Sequence, residues 1–311
     1  MPPLFTAAQC NEARHLLRAI LREVTYLPDT QARTYIAKLA IGRFRQYTPG
    51  QKPDDLLLQA RHTQLDNARK GLTELYRANH GELKPLLKLL HLTYARIGKR
   101  RHELMRVLLH KPLENVLVDT NTLPQLTPQH IALLDSQKRA CPPNTVRAQL
   151  RSWALKIPEK NTWERPMPKK RIANATREWY AKVLDRTMVP LPLLEWERLR
   201  DLSLGKIKFD GPTPRRTMSC ATPDLPSPLE VSLGLVPINS PRVILDNASK
   251  SLHGHRLTAR FMKRCWASVF AQCPVMSWIK TCQKWSVDWG CDVLNREATS
   301  RFTDESTFGE T

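Results

Sequence analysis

The sequence predicts an all-α protein: an N-terminal antiparallel helical bundle followed by a partly helical, proline-rich C-terminal extension. Three observations lead there. Apolar residues in the first 110 positions recur at helical spacing. The breaks between these stretches are short and carry helix stop and start residues, so neighbouring helices must reverse direction. Of the 24 prolines, six precede residue 111, and the other 18 punctuate the remainder. The expected organisation is a bundle over 1–110, a basic, partly helical extension over 111–220, and a poorly ordered tail over 221–311.

The elements follow in order. A first helix is expected from about Thr6 to Thr25, because Ala13, Leu16, Leu17, Ile20, Leu21 and Val24 form one apolar stripe. Pro28 stops it, and Asp29 or Thr30 can cap the second, which runs to about Gln46 with Ala32, Tyr35, Ile36, Leu39 and Ala40 on its apolar face. Pro49-Gly50 and Pro53 make the next break. The third helix runs from Asp54 to about Ala78 and ends at Asn79-His80-Gly81. A fourth covers about Glu82 to Tyr94, with Pro85 in its first turn, where a missing N–H costs little. After Gly98, the basic Lys99-Arg100-Arg101-His102 leads into a fifth helix ending near Leu109.

Further on, Thr127-Pro128-Gln129-His130 has the form of a helix start. Asn174 to Met188 is expected to be helical, with Trp179, Tyr180 and Val183 as its apolar side. Leu193 to Leu204 is a shorter helix with Trp196 and Leu199 inward. Beyond 221, serine and proline give way to Cys265-Trp266, Trp278, Cys282, Trp285 and Trp289, in which no period stands out.

The chain has 311 residues, with 49 Lys+Arg against 29 Asp+Glu, a formal net charge of +20. Such a surface favours polyanions: nucleic acid, an anionic membrane face or a strongly acidic protein. The excess is uneven. Residues 1–110 carry 19 basic and 9 acidic groups, 111–220 carry 20 and 11, and 221–311 carry 10 and 9. No apolar run approaches the 18 residues of a membrane span. The start, Met1-Pro2-Pro3-Leu4-Phe5, lacks the basic and apolar regions of a secretory signal. Arg14, Arg18 and Arg22 are compatible with a basic amphipathic presequence, but an ordinary first helix is the expectation.

Seven cysteines, an odd number with no C-x-x-C pair, point to a reducing compartment and away from a disulfide framework. The spacings of the last four, 8, 9 and 9 residues, lack the tight pair from which a zinc site is built. His253-Gly254-His255 puts two histidines on one face of an extended chain, but no second ligand pair completes a metal site, and two solvated histidines are expected. No nucleophile elbow, zinc-protease, phosphate-loop or dinucleotide signature is present, so the expectation is a protein without enzymatic activity.

Several strings point to a family. The first helix reads Leu16-Leu17-Arg18-Ala19-Ile20-Leu21-Arg22-Glu23, followed by Tyr26-Leu27-Pro28-Asp29, and the second ends Arg43-Phe44-Arg45. Later come Tyr94-Ala95-Arg96-Ile97-Gly98-Lys99-Arg100-Arg101-His102-Glu103-Leu104, Asn161-Thr162-Trp163-Glu164-Arg165-Pro166, Trp179-Tyr180 and Pro190-Leu191-Pro192 before Glu195-Trp196. Over roughly residues 6–205 the chain resembles the LYR-motif (complex I LYR) superfamily, specifically its extended fungal members, and the bundle would then be of the LYR type. The family tripeptide falls on Leu16-Leu17-Arg18, with Leu17 in place of its tyrosine, and the downstream family phenylalanine matches Phe44. The literal Leu75-Tyr76-Arg77 lies late in the third helix, out of context, and is read as coincidence.

The resemblance implies a mitochondrial matrix adaptor that binds acylated acyl carrier protein. It would accept the partner's 4'-phosphopantetheine-linked acyl chain and support assembly of a respiratory, iron–sulfur or ribosomal complex. On this reading Arg14, Leu16, Leu17, Arg18, Arg22 and Phe44 contact the partner, and Ile20, Leu21, Ile36, Leu39, Ala40 and Phe44 line an acyl-chain channel. Arg14, Arg18 and Arg22 are four apart and stack along one helix face, where guanidinium forks would meet carboxylates. The plainer readings are a solvated arginine face and an ordinary core. An RNA- or mitoribosome-binding factor, with the bundle as scaffold, is the alternative. Lys99, Arg100 and Arg101, or Lys169, Lys170 and Arg171 beside Trp163 and Trp179, would then touch RNA, because basic and aromatic groups together suit single-stranded bases.

Overall fold

The computed structural model of the chain describes residues 7–46, 54–109, 126–143, 145–149, 152–158, 160, 163–215 and 254–306. The first five helices lie where the apolar periodicity puts them. They are α1 (Ala7–Thr25), α2 (Thr30–Arg45), α3 (Asp54–Asn79), α4 (Leu83–Thr93) and α5 (Gly98–Leu109). Asp29, in extended conformation, caps α2 by accepting from the Gln31 N–H at 3.0 Å. After α3, Gly81 takes a φ of +83°, which only glycine adopts without strain, and the chain reverses into α4.

By the density of its contacts the chain divides into two compact units, 1–89 with 210–262 and 90–209 with 263–311. In the first, α1 packs against both α2 and α3 in a bundle-like arrangement. Its core holds Ile20, Val24, Leu27, Ala32, Ile36, Leu65, Leu75 and Ala78, all buried. Burying each of the larger aliphatic side chains stabilises by about 1.5–3 kcal/mol, so this stripe accounts for the packing of α1. Two later stretches join the unit. Arg215 lies over the rings of Tyr26 and Tyr76 and pairs with Glu23. The His255 N–H donates to the Gly81 carbonyl at 3.0 Å.

The second unit contains α5, α6 (Pro128–Ala140), α7 (Lys169–Arg186) and α8 (Leu193–Leu204). Thr127 caps α6 through the His130 N–H, as its sequence form suggests. α8 has the expected limits, with Trp196 and Leu199 buried. α7 begins five residues before the expected Asn174. Lys169-Lys170-Arg171 are good helix formers directly after Pro168, which closes the preceding segment. It ends at Arg186 instead of Met188, because Thr187 turns extended and returns its Oγ1 to the Val183 carbonyl at 2.8 Å.

The poorly ordered tail expected over 221–311 does not describe residues 259–306. These form α9 (Ala259–Phe270), β1 (Pro274–Ile279), β2 (Lys284–Trp289) and α10 (Gly290–Ser306). The α9 stripe was present in the sequence: Met262, Cys265, Trp266, Val269 and Phe270 follow helical spacing, and all are buried. The hairpin had no turn signal, since Lys280-Thr281-Cys282-Gln283 contains no glycine, proline, asparagine or aspartate. Its register pairs Pro274 with Trp289 and Trp278 with Trp285, whose rings meet edge to face at 5.0 Å. The protein is thus mostly helical, with a single two-stranded sheet among the described residues.

Met105, Leu108, Leu133, Met188, Val189, Ala271, Trp289 and Cys291 form the main core of this unit. The extended segment after α7 is secured by polar side chains. Gln137 donates to the Arg186 carbonyl and accepts from the Met188 N–H, both at 2.9 Å, and His130 meets the Thr187 hydroxyl at 3.0 Å. Such a buried irregular segment needs these partners, because its peptide groups have no ladder of their own.

Candidate functional site

The sequence singles out α1, and the structure gives that helix two chemically different sides. Glu12 pairs with Arg69 of α3, and Glu23 pairs with Arg215 and accepts from Asn79 Nδ2 at 2.9 Å. These two glutamates are eleven residues apart, about three turns, so they share a face. Arg14, Arg18 and Arg22 point away from that face and are exposed. Among the described residues no carboxylate pairs with any of the three. α1 therefore presents a purely cationic strip, its acidic groups being engaged elsewhere in the bundle. Arg22 also stands in the last turn, where a cation is favoured by the helix dipole.

Beside the strip, Leu16, Leu17 and Leu21 are partly buried and Ile20 is buried. On α2, Ile36 is buried, and Leu39, Ala40 and Phe44 are partly buried. α1 and α2 pack together, so both sets of residues lie in one small bundle. The pairing of Glu12 and Glu23 was not foreseen. The signal was their three-turn separation, roughly half a helix turn from the arginine strip. The literal Leu75-Tyr76-Arg77 is occupied structurally: Leu75 is buried, Tyr76 stacks on His80, and Arg77 pairs with Glu82 at 2.6 Å.

The basic cluster at Lys99-Arg100-Arg101 is not a free patch. It forms the first turn of α5, and both of its guanidinium groups are engaged inside the second unit. Arg100 binds the Glu195 carboxylate with both oxygens at 2.5 Å and the Thr93 carbonyl at 2.6 Å. Arg101 is buried and donates to the carbonyls of Leu184, Asp185 and Thr187 at 2.6, 2.9 and 3.0 Å. It thereby supplies donors to carbonyls at the C-terminal end of α7 and just beyond it, of which that of Asp185 also accepts from Arg147. Only Lys99 is exposed, 3.7 Å from Glu103. Arg100 and Arg101 thus have partners within the protein, and Lys99 is the member of the three that faces solvent.

Lys169, Lys170 and Arg171 are exposed in the first turn of α7. Trp163 is exposed as well, but Trp179 is turned inward, donating its indole N–H to the Trp153 carbonyl at 2.8 Å. The structure therefore leaves one of the two expected aromatic partners at the surface. Of the His253-Gly254-His255 motif, His253 lies outside the described residues, and the His255 ring stacks on Phe261 at 5.4 Å. No described helix is long and apolar enough to cross a membrane.

Comparison with known proteins adds one finding. Residues 16–105 match the family described as LYR motif-containing protein 2-like. The match begins at Leu16, the first residue of the tripeptide on α1, and extends into α5. No curated protein and no solved structure matches the chain. Residues 16–105, which hold α2, α3, α4 and Arg18 and Arg22 of α1, are thus the part of the chain similar to that family.

Proposed function

We propose that the protein is a non-enzymatic mitochondrial matrix adaptor whose LYR-like bundle binds an acylated acyl carrier protein and supports assembly of a larger complex. LYR-motif proteins are generally mitochondrial and non-enzymatic, and they typically bind that carrier. The observation that carries the reading is the strip Arg14-Arg18-Arg22, exposed and, among the described residues, unpaired by carboxylates on a helix whose own glutamates are bound elsewhere. An acidic carrier would place carboxylates against these guanidinium groups, in the fork geometry that arginine provides. Its charge would mainly raise the encounter rate.

The acyl chain delivered on the carrier's 4'-phosphopantetheine arm would enter between α1 and α2, against Ile20, Leu21, Ile36, Leu39, Ala40 and Phe44. Each methylene removed from water contributes about 0.8 kcal/mol, so a chain of roughly eight carbons supplies several kcal/mol of holding energy. Leu17, in place of the motif tyrosine, keeps the position apolar but removes a hydroxyl.

The test is purification of the full chain from mitochondria under native conditions with intact-mass measurement of what accompanies it. The expected companion is a small acidic protein carrying a phosphopantetheine mass, lost in Arg18→Glu. Recovery of the wild-type chain free of any such protein overturns the proposal.

A second reading rests on Lys169, Lys170 and Arg171, exposed near the exposed Trp163. On it the protein binds RNA through the start of α7. Retention on mitochondrial ribosomal RNA would weaken steeply with salt. It would fall on neutralising Lys169 and Lys170, while loss of Arg18 would leave it unchanged.

A further inference from the structure

A groove of about 1140 Å³ runs between α6 and the β1–β2 hairpin, within the second unit. One wall is a single face of α6, with Pro128, Ala132, Asp135 and Arg139 spaced by three or four residues. The other wall is Lys284, Trp285, Ser286 and Val287, four consecutive residues of β2. Successive side chains of a strand point to opposite faces, so a hollow bordered by all four lies along the strand's edge.

Two bonds at the base of the hairpin fix which backbone groups that edge presents. The Gly290 N–H donates to the Cys273 carbonyl at 3.2 Å, which makes this a hydrogen-bonded pair, and bonded pairs recur at every second position. Pro274–Trp289, Met276–Val287 and Trp278–Trp285 are then the pairs whose peptide groups point outward. Pro274 obeys that phase, since its carbonyl accepts from the Leu191 N–H at 2.9 Å on the outer side of β1. On β2 the outward groups are those of Trp285 and Val287, and they have no hydrogen-bond partner among the described residues. An unpaired edge of this kind is a template for a further extended backbone.

The side chains around the edge state what that backbone should carry. Trp278 and Ile279 also border the groove and are 47% and 41% exposed, so apolar surface waits to be covered. Arg139 and Lys284 are exposed and meet no carboxylate among the described residues. Asp135, the carboxylate that borders the groove, already accepts from the Trp153 indole N–H at 3.0 Å.

We propose that this groove binds an extended acidic segment of a partner protein, which adds to the outer edge of β2 as a third strand. Its peptide groups pair with those of Trp285 and Val287. Its apolar side chains cover Trp278 and Ile279, and its carboxylates meet Arg139 and Lys284. A polynucleotide could supply charge and stacking, but it has no ladder of N–H and C=O groups to match the edge. The inference stands apart from the carrier reading, because no residue of the α1 strip takes part.

The probe is a fluorescein-labelled, acetylated decapeptide of alternating valine and glutamate, titrated into the full chain and followed by anisotropy. Replacing its glutamates with lysines should weaken binding about tenfold or more. Arg139→Glu combined with Lys284→Glu, both at exposed positions, should do the same, whereas Arg18→Glu should change nothing. Hydrogen exchange on the unmodified chain reads the edge itself. The amides of Trp285 and Val287 should exchange readily in the free protein and become protected with peptide bound. Protection of these amides before any peptide is added, binding that leaves them unprotected, or equal affinity for the lysine peptide would each overturn the proposal. So would a single-stranded RNA that binds more tightly than the peptide and is lost in the same double variant.

Discussion

The backbone N–H of His255 donates to the carbonyl of Gly81 at 3.0 Å, and a stretch 174 positions further along the chain thereby closes over the turn between α3 and α4. The approach is so close that a Cβ on Gly81 would fall on the His255 carbonyl, and one on Gly254 would fall on that of His80. Backbone cannot yield as a flexible side-chain end can. Gly81 also holds a φ of +83°, which costs an alanine about 1 kcal/mol or more in itself. Gly81→Ala should therefore lower stability by about 2 kcal/mol or more. Gly42→Ala, with open space around its Cβ on α2, should be neutral or stabilising. Urea unfolding of the three chains checks the contrast.

Arg101 and Lys99, two residues apart in one basic run, should behave oppositely. Arg101→Met takes a donor from three carbonyls at the end of α7, of which only that of Asp185 keeps another, Arg147, and the expected loss is about 3 kcal/mol. Lys99→Met removes an exposed, loosely paired charge and should change stability by less than about 0.5 kcal/mol. Denaturant midpoints of the two variants decide whether the run is structural.

Acid should destabilise the second unit through two histidines. Burial pushes the pKa of His91 down to about 4, helped by the charge of Arg96, and burial alone does the same to His130. In the unfolded chain both titrate near 6.5. Between pH 6.5 and 4 the unfolded state therefore binds more protons, so stability falls as the pH is lowered through that window. Each histidine contributes a slope of about 1.4 kcal/mol per pH unit there, and about 2 kcal/mol by pH 5. His130→Gln should halve the combined slope measured by denaturant titration between pH 7 and 5. An unchanged slope would mean that His130 is charged in the folded protein.

Charge reversal on α1 should separate binding from folding. Arg18 is exposed, without a carboxylate partner among the described residues, so Arg18→Glu should leave the melting temperature nearly unchanged. Its affinity for an acidic carrier should fall about tenfold or more. Affinity of the unmodified protein should itself decline as salt is raised. Calorimetric titration at two salt concentrations, with melting curves alongside, reads both effects.

The sequence by itself determined where α1 to α6 and α8 lie. Their apolar stripes, caps and prolines act within a few residues of one another, and the same local pattern placed the LYR tripeptide on α1 and its arginines on one face. It also held the α9 stripe, which Trp266 and Cys265 made easy to misread as irregular. Only the tertiary structure decided which cations are free. Arg14, Arg18 and Arg22 do not differ from Arg100 and Arg101 in residue type, and both sets lie on helices. They differ because Glu195 and the carbonyls of Leu184, Asp185 and Thr187 come from 83 or more positions away. Whether a guanidinium faces water or a buried carbonyl is set by which distant segment packs against it, and no local pattern encodes that. The basic excess thus includes two kinds of arginine with different roles: internal donors such as Arg96 and Arg101, and the exposed strip on α1.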